Sequence, residues 1–322
     1  MPVSHSDGDI FGMEHIELPN GRLVCRPHGL VVCGYCCVDF SFMDEILEEE
    51  EEEEQEEAER EDNELYELLN NQSNNMILGP GRPDRDGYLC GDGPRRVQEG
   101  KEYVFPTKFT PPSATPPSTT STPAELFPVA IGRRATPHVT RFIRRDDPDQ
   151  ALIYADGACR NNGQANARAG WAFVFNSATC RPSGVVSGRL EKKGPFGDQH
   201  PQTSNRAELR AVVAALRFRH WTGEGFRTLV FATDSEYVAE GATTWVRGWA
   251  SNGWTTSTGA PVKNKDLWEA LLGEFERWDY WGLKIQFWRI PRRLNSVADR
   301  AAKQAATEQS QDQYVEYMGA LT

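Results

Sequence analysis

From Ala151 onward the chain alternates short apolar runs with stretches of helical periodicity. "ALIYAD" (151–156) is a short apolar strand, and "AGWAFVFN" (169–176) and "GVVSGRL" (184–190) read as two further strands in hairpin order. "NRAELRAVVAALRFRHW" (205–221) carries apolar residues at helical spacing. "TLVFATD" (228–234) is a nearly continuous apolar run, the pattern of a strand buried on both faces. "DLWEALLGEFERW" (266–278) predicts a second helix, "LKIQFWRI" (283–290) a last strand, and 295–308 a last, alanine-rich helix. The order β-β-β-α-β-α-β-α predicts an α/β fold: one five-stranded mixed sheet, three antiparallel strands followed by two parallel ones, with helices on its faces.

Before Ala151 this patterning is absent. Residues 1–43 end in a small Cys/His segment, "CRPHGLVVCGYCC". Glu48 to Glu54 are consecutive glutamates in a tract that stays acidic to Glu64, a block that repels itself and remains solvated. "FPTKFTPPSATPPSTTSTPAELFP" (105–128) reads as an extended Pro/Ser/Thr-rich linker. The expected organisation is a Cys/His segment (1–43), a mostly disordered linker (44–148), a folded α/β domain (149–310) and a tail (311–322).

The formal net charge of −12 conceals a division. Residues 1–150 hold 14 Lys+Arg and 30 Asp+Glu, whereas 151–310 hold 21 and 15, so an acidic half precedes a basic one. A basic domain with an acidic appendage suggests nucleic acid as the partner. No apolar run reaches the ~18–20 residues of a membrane span. The N-terminus lacks the features of a secretory or mitochondrial leader, so the expectation is an intracellular protein, nuclear or cytoplasmic. The seven cysteines form no regular disulfide framework.

Four carboxylates stand out. Asp156 ends the first strand, Asp234 ends the long buried strand, Glu208 lies on an otherwise apolar helix face, and Asp299 sits among alanines in the last helix. Each has an ordinary reading. Asp156 before Gly157 suits a turn, Asp234 before Ser235 suits a helix cap, Glu208 could pair with Arg206 or Arg210, and Asp299 suits a helix N-terminus. Together they suggest more, because strands of an open α/β sheet deliver ligand-binding groups at their carboxyl ends. Two carboxylates ~4 Å apart repel by about 4 kcal/mol at an effective dielectric of 20. A cluster of four therefore calls for protons or divalent cations. An all-oxygen donor set favours Mg²⁺ or Mn²⁺ over zinc.

The motifs "DGACRNNG", "TSNRAEL", "ATDSEYV", "WVRGW...NGW......PVKNKDLW" and "NSVADRAA" resemble those of the type 1 ribonuclease H family over about residues 150–308. The resemblance implies hydrolysis of the RNA strand of RNA–DNA hybrids with two Mg²⁺ ions, for which Mn²⁺ can substitute, leaving 5′-phosphate and 3′-hydroxyl ends. It assigns the metal to Asp156, Glu208, Asp234 and Asp299. It assigns substrate contacts to Asn162, Thr203, Ser204, Asn205 and Arg206, to an aromatic handle of Trp245, Trp249 and Trp254, and to Lys263 and Lys265. A monomer acting on an RNA–DNA hybrid, with no membrane partner, is the implied assembly.

There are departures from the family pattern. No histidine follows His220, so the loop histidine between the last strand and last helix is missing, and the ending is P-R-x-x-N-x-x-A-D. A slower enzyme is expected, the alternative being a catalytically weak or inactive hybrid-binding module. The handle segment "WASNGWTTSTG" has no lysine, and Ser204 stands where asparagine is usual. In the N-terminal segment, Cys25, His28, Cys33 and Cys36 have paired spacings that suit a structural Zn²⁺ site. The acidic half is expected to bind either an unidentified protein or the chain's own basic face.

Overall fold

The computed structural model describes residues 15–17, 23–26, 32–33, 38–39, 97–101, 103–112, 121–132, 134–135, 138–177, 184–256 and 259–319. The chain divides into two compact units, Met1–Asn75 and Met76–Thr322. In the first, β1 (His15–Glu17) pairs antiparallel with β2 (Leu23–Cys25), and β3 (Val32–Cys33) with β4 (Val38–Asp39). Cys25 ends β2 and Cys33 lies in β3, but His28, Cys36 and all four side chains of the expected zinc site lie outside the described residues, as does the acidic tract.

The second unit is built on one eight-stranded sheet. Its centre is the five-stranded mixed core expected from the sequence. β8 (Gln150–Arg160), β9 (Arg168–Val174) and β10 (Val185–Arg189) form an antiparallel meander. β11 (Thr228–Thr233) lies parallel to the first half of β8, and β12 (Lys284–Arg289) parallel to β11. Three further strands extend it: β5 (Thr107–Lys108) beside β12, and the hairpin of β6 (Val129–Gly132) with β7 (Val139–Ile143), which pairs with the start of β8.

These three strands correct the linker expectation for 44–148. The Pro/Ser/Thr-rich composition conceals Phe109 and Phe127, which are buried, as is Ile143 beyond it. A short helix, α1 (Pro123–Leu126), opens with a capping box, the Thr122 side chain and Glu125 each accepting the other's backbone N–H. That Thr-Pro-Ala-Glu signature was legible and marks an ordered turn inside the low-complexity stretch.

Alternation along β8 sends Ala151, Ile153 and Ala155 to one face of the sheet and Leu152 to the other. The first face packs against α2 (Ser204–Phe218) and α5 (Lys265–Tyr280), whose Leu209, Val212, Leu216, Leu271 and Phe275 are buried. On the second face Leu152, Val230 and Trp288 meet Phe109 and Phe127 from the extension. Further along that face, α6 (Ser296–Ala305) lies on β9 through Ala172, Ala301 and Ala302. Gly170 permits this approach, since a Cβ there would collide with the backbone of Ala302, Ala305 and Ala306.

Two other differences from the sequence expectation matter. Residues 236–251 form α3 (Glu236–Glu240), a π turn (Gly241–Trp245) and α4 (Val246–Ser251). Two glycines and a Thr-Thr pair hide that periodicity, although Gly241 is where Trp268 packs too closely for a side chain. The expected tail is also part of the unit over its described residues. Arg210 is stacked on the half-buried Tyr314 at 4.2 Å, Arg210 Nη2 donates to the Val315 carbonyl, and Tyr317 meets Trp171 edge-on. Among the described residues no helix is long and apolar enough to cross a membrane.

Candidate active site and nucleic-acid interface

Sheet register brings the first two carboxylates together. The last β8–β11 pair is Tyr154↔Ala232, so two residues further on Asp156 faces Asp234. Asp156 lies within β8 rather than at its end, because the strand continues past Gly157 to Arg160. Gly157 is there for space. A Cβ would collide with the Glu208 amide and with Ala207, so α2 can lie directly on the strand and deliver Glu208 beside Asp156. Asp299 comes in the first turn of α6, drawn close by the alanine contact with β9.

The four side chains are held apart by neutral and cationic partners. Asp156 Oδ1 accepts from the Gly157 N–H at 2.7 Å, while Oδ2 is buried with no hydrogen-bond partner. Glu208 Oε2 accepts from the Ser235 hydroxyl at 2.6 Å. Asp234 Oδ1 accepts from Asn295 Nδ2 at 2.7 Å, and the same amide reaches the Ala155 carbonyl at 3.2 Å. Asp299 receives Arg292 and Lys303, each at 2.9 Å. As these side chains stand, no three His, Cys, Asp or Glu among the described residues converge to hold a metal ion. Each carboxylate is turned toward its own partner.

Their mutual proximity is nonetheless felt. The Asp156 carboxyl is pushed up to about 8, first by burial and then by Asp234 and Asp299, with a smaller push from Glu208. Glu208 is pushed up to about 7 by burial and Asp234, against the opposing Ser235 bond and Arg292. A buried carboxylate oxygen without a partner, beside three more acidic groups, fits a hard divalent cation. The ordinary readings of Asp234 and Glu208 do not hold, whereas Asp299 does sit in the first turn of its helix. Ser235, not Asp234, caps α3, and Arg206 and Arg210 pair with Asp266 and Glu191 rather than with Glu208.

The expected substrate residues divide into two groups. Asn162 is exposed, and its Nδ2 lies 3.4 Å from Ser204 Oγ; Asn205 is exposed on the first turn of α2. Thr203 caps that helix, its hydroxyl accepting from the Arg206 N–H. Arg206 corrects the expectation of a strand contact. Only 2% of its side chain is exposed, and it donates to both oxygens of Asp266 at 2.8 and 2.6 Å, tying α2 to α5. In the handle, Trp245 and Trp249 are half-buried with ring centroids 5.9 Å apart. Trp254 is a buried core residue in the left-handed region (φ 62°). Lys263 is exposed; Lys265 is exposed too and pairs with Glu269 at 3.1 Å. Sequence reasoning left Ser235 and Asn295 without roles. The adjacency of Ser235 to Asp234 and the four-residue step from Asn295 to Asp299 were their only signals.

A family model for RNase H matches residues 148–307. Ribonuclease H of Treponema pallidum is 36% identical over 166 residues, which cover 49% of this chain and 92% of that protein. Ribonuclease H of a Janthinobacterium species is 41% identical over 123 residues, covering 38% and 73%. Among solved structures, LC9-RNase H1, described as a type 1 RNase H with the type 2 active-site motif, is 28% identical with a TM-score of 0.33, covering 49% of this chain and 72% of that one.

Proposed function

The chain belongs to the ribonuclease H family of enzymes, and on that premise we propose that it hydrolyses the RNA strand of RNA–DNA hybrids by a two-metal-ion mechanism, leaving 5′-phosphate and 3′-hydroxyl ends. The observation that carries this reading is the partnerless, buried Oδ2 of Asp156 among Asp234, Asp299 and Glu208. The four carboxylates would hold Mg²⁺, or Mn²⁺ in its place. Bound divalent ions supply the Lewis acidity that activates a water and stabilises the leaving oxygen in phosphodiester cleavage.

The chain's own residues do the positioning. Asn295 fixes Asp234 against the β8 backbone, and Ser235 aims Glu208 across the end of the sheet. Asp156 holds one oxygen on its neighbour's amide and leaves the other free. The exposed Asn162 and Asn205, with the half-buried Ser204 between them, would meet 2′-hydroxyls, the groups that distinguish RNA from DNA. Trp245 and Trp249 would pack on the partner strand, and exposed lysines would meet its phosphates.

A second reading, a weak or inactive hybrid-binding module, draws on Asp299, since Arg292 and Lys303 already occupy its oxygens. One experiment separates the two. The full chain, required because β5 to β7 belong to the sheet, is incubated with labelled hybrid in Mg²⁺ and then Mn²⁺. Metal-dependent cutting of the RNA strand alone, abolished by Asp234→Asn, is the expected result. Hybrid binding without cutting in either metal would establish the binding module instead.

A further inference from the structure

Residues 236–251, beside the handle tryptophans, hold two acids and one cation, and their neighbours alter that balance. Glu236 is paired with Arg289 at 2.9 Å. Glu240 is paired with Lys108, whose Nζ lies 2.7 Å from both carboxylate oxygens. Arg247, exposed on α4 between Trp245 and Trp249 in sequence, has no carboxylate partner among the described residues. Its guanidinium rests instead over the Phe105 ring, 4.8 Å from the centroid. Lys108 and Phe105 both come from the segment before β6 that composition marks as linker.

That segment is docked by specific contacts. Gly100 lies against α5 so closely that a Cβ would come within 2.5 Å of Leu272 Cβ, and its N–H donates to the Glu269 carbonyl at 3.0 Å. The Lys101 N–H donates to Glu276 Oε2 at 2.8 Å. β5 then pairs with β12, and Phe109 enters the core. The backbone that presents Phe105 and Lys108 is thus anchored on both sides of them.

We propose that residues 97–101 and 103–109 form a strut of the substrate handle, neutralising Glu240 through Lys108 and holding Arg247 over Phe105 so that the guanidinium meets a backbone phosphate of the bound nucleic acid. The inference rests on the hybrid reading of the site. It accounts for a handle whose 249–259 segment has no lysine: the cation comes from α4 and is oriented by the preceding arm. A planar, permanently charged fork held by an aromatic face loses less freedom on meeting phosphate than a free lysine does.

The test measures hybrid affinity against salt in the full chain carrying Asp234→Asn, so that nothing is cut. Arg247→Gln is expected to flatten the slope of log affinity on log salt by about 0.9, the signature of one lost phosphate contact. Phe105→Leu, which keeps the apolar volume, is expected to weaken binding about two- to fivefold. Lys108→Ala is expected to weaken it as well, and adding Glu240→Gln to restore it, a rescue that a purely structural role for Lys108 would not produce. Parent binding with unchanged slopes and affinities in all variants would overturn this inference alone. A parent chain that binds no hybrid would overturn the hybrid reading and this inference with it.

Discussion

At the carboxylate end of the sheet, burial and then the nearness of other acidic groups push Asp156 up to about 8 and Glu208 up to about 7. At the handle, both glutamates are paired with cations, and Arg247 is left over as a positive charge. The first region is built by backbone contact: strand register, Gly157 under α2 and Gly170 under α6. The second is built by exposed side chains and a borrowed arm. The difference follows from what each would bind. A site for a small, highly charged cation has to concentrate like charges and therefore needs a rigid frame. A surface for a polyanion needs only its negative charges masked.

The frame can be broken most severely at Gly157. Gly157→Ala drives a methyl into the α2 backbone, and a loss of about 3 kcal/mol or more is expected. For a unit of this size that corresponds to a fall in melting temperature of roughly 6–12 °C, read by calorimetry. An unchanged melt would show that the close approach is not what holds Glu208 in place.

Asn295→Ala removes one amide that serves both Asp234 and the Ala155 carbonyl. About 1–3 kcal/mol of stability should be lost. Cleavage should show a lower kcat with KM nearly unchanged, because the handle is untouched. A rise in KM alone would contradict the assignment of Asn295 to the carboxylate frame.

The charge concentration itself should be visible without metal. Asp156 in the folded state keeps a proton that the unfolded chain releases near pH 3.8, and it releases that proton only near pH 8. The folded state therefore binds more protons across this window, and stability falls as pH rises through it. Asp156→Asn should flatten that decline, and Mg²⁺ should stabilise the parent more at pH 8 than at pH 5, since the ion competes with fewer protons there. A metal-free parent whose melting temperature does not change between pH 5 and 8 would remove the argument for a strained cluster.

The handle should respond least in stability and most in salt dependence. Lys263→Ala should change stability by no more than about 0.5 kcal/mol, because the side chain is exposed and only its backbone carbonyl is engaged, by Tyr237. If it contacts a phosphate, its loss flattens the salt slope by about 0.9. Lys263 thus separates the two regions cleanly, since no change at this site should alter the pH dependence of folding.

Much of this could be read before folding. The five central strands and three main helices follow from apolar period, and the four acids from their positions against it. Asp299 among alanines made sense once the helix had to lie flat on β9. Other features were hidden for identifiable reasons. Phe109 and Phe127 sit in Pro/Ser/Thr-rich sequence, where an isolated aromatic gives no period to detect. Arg206 reads as a surface cation near Glu208, and only its long-range pairing with Asp266 takes it inside.

The sequence by itself determined which elements form and which residue types carry the chemistry, because helix and strand periods and the identity of an all-oxygen donor set are local properties of the chain. Only the tertiary structure decided how each group is used. Register set Asp156 beside Asp234. Packing turned Arg206 inward, and a segment that resembled linker brought Lys108 and Phe105 to the handle. Those outcomes depend on contacts between residues 60 or more positions apart, and such contacts leave no periodic trace along the chain.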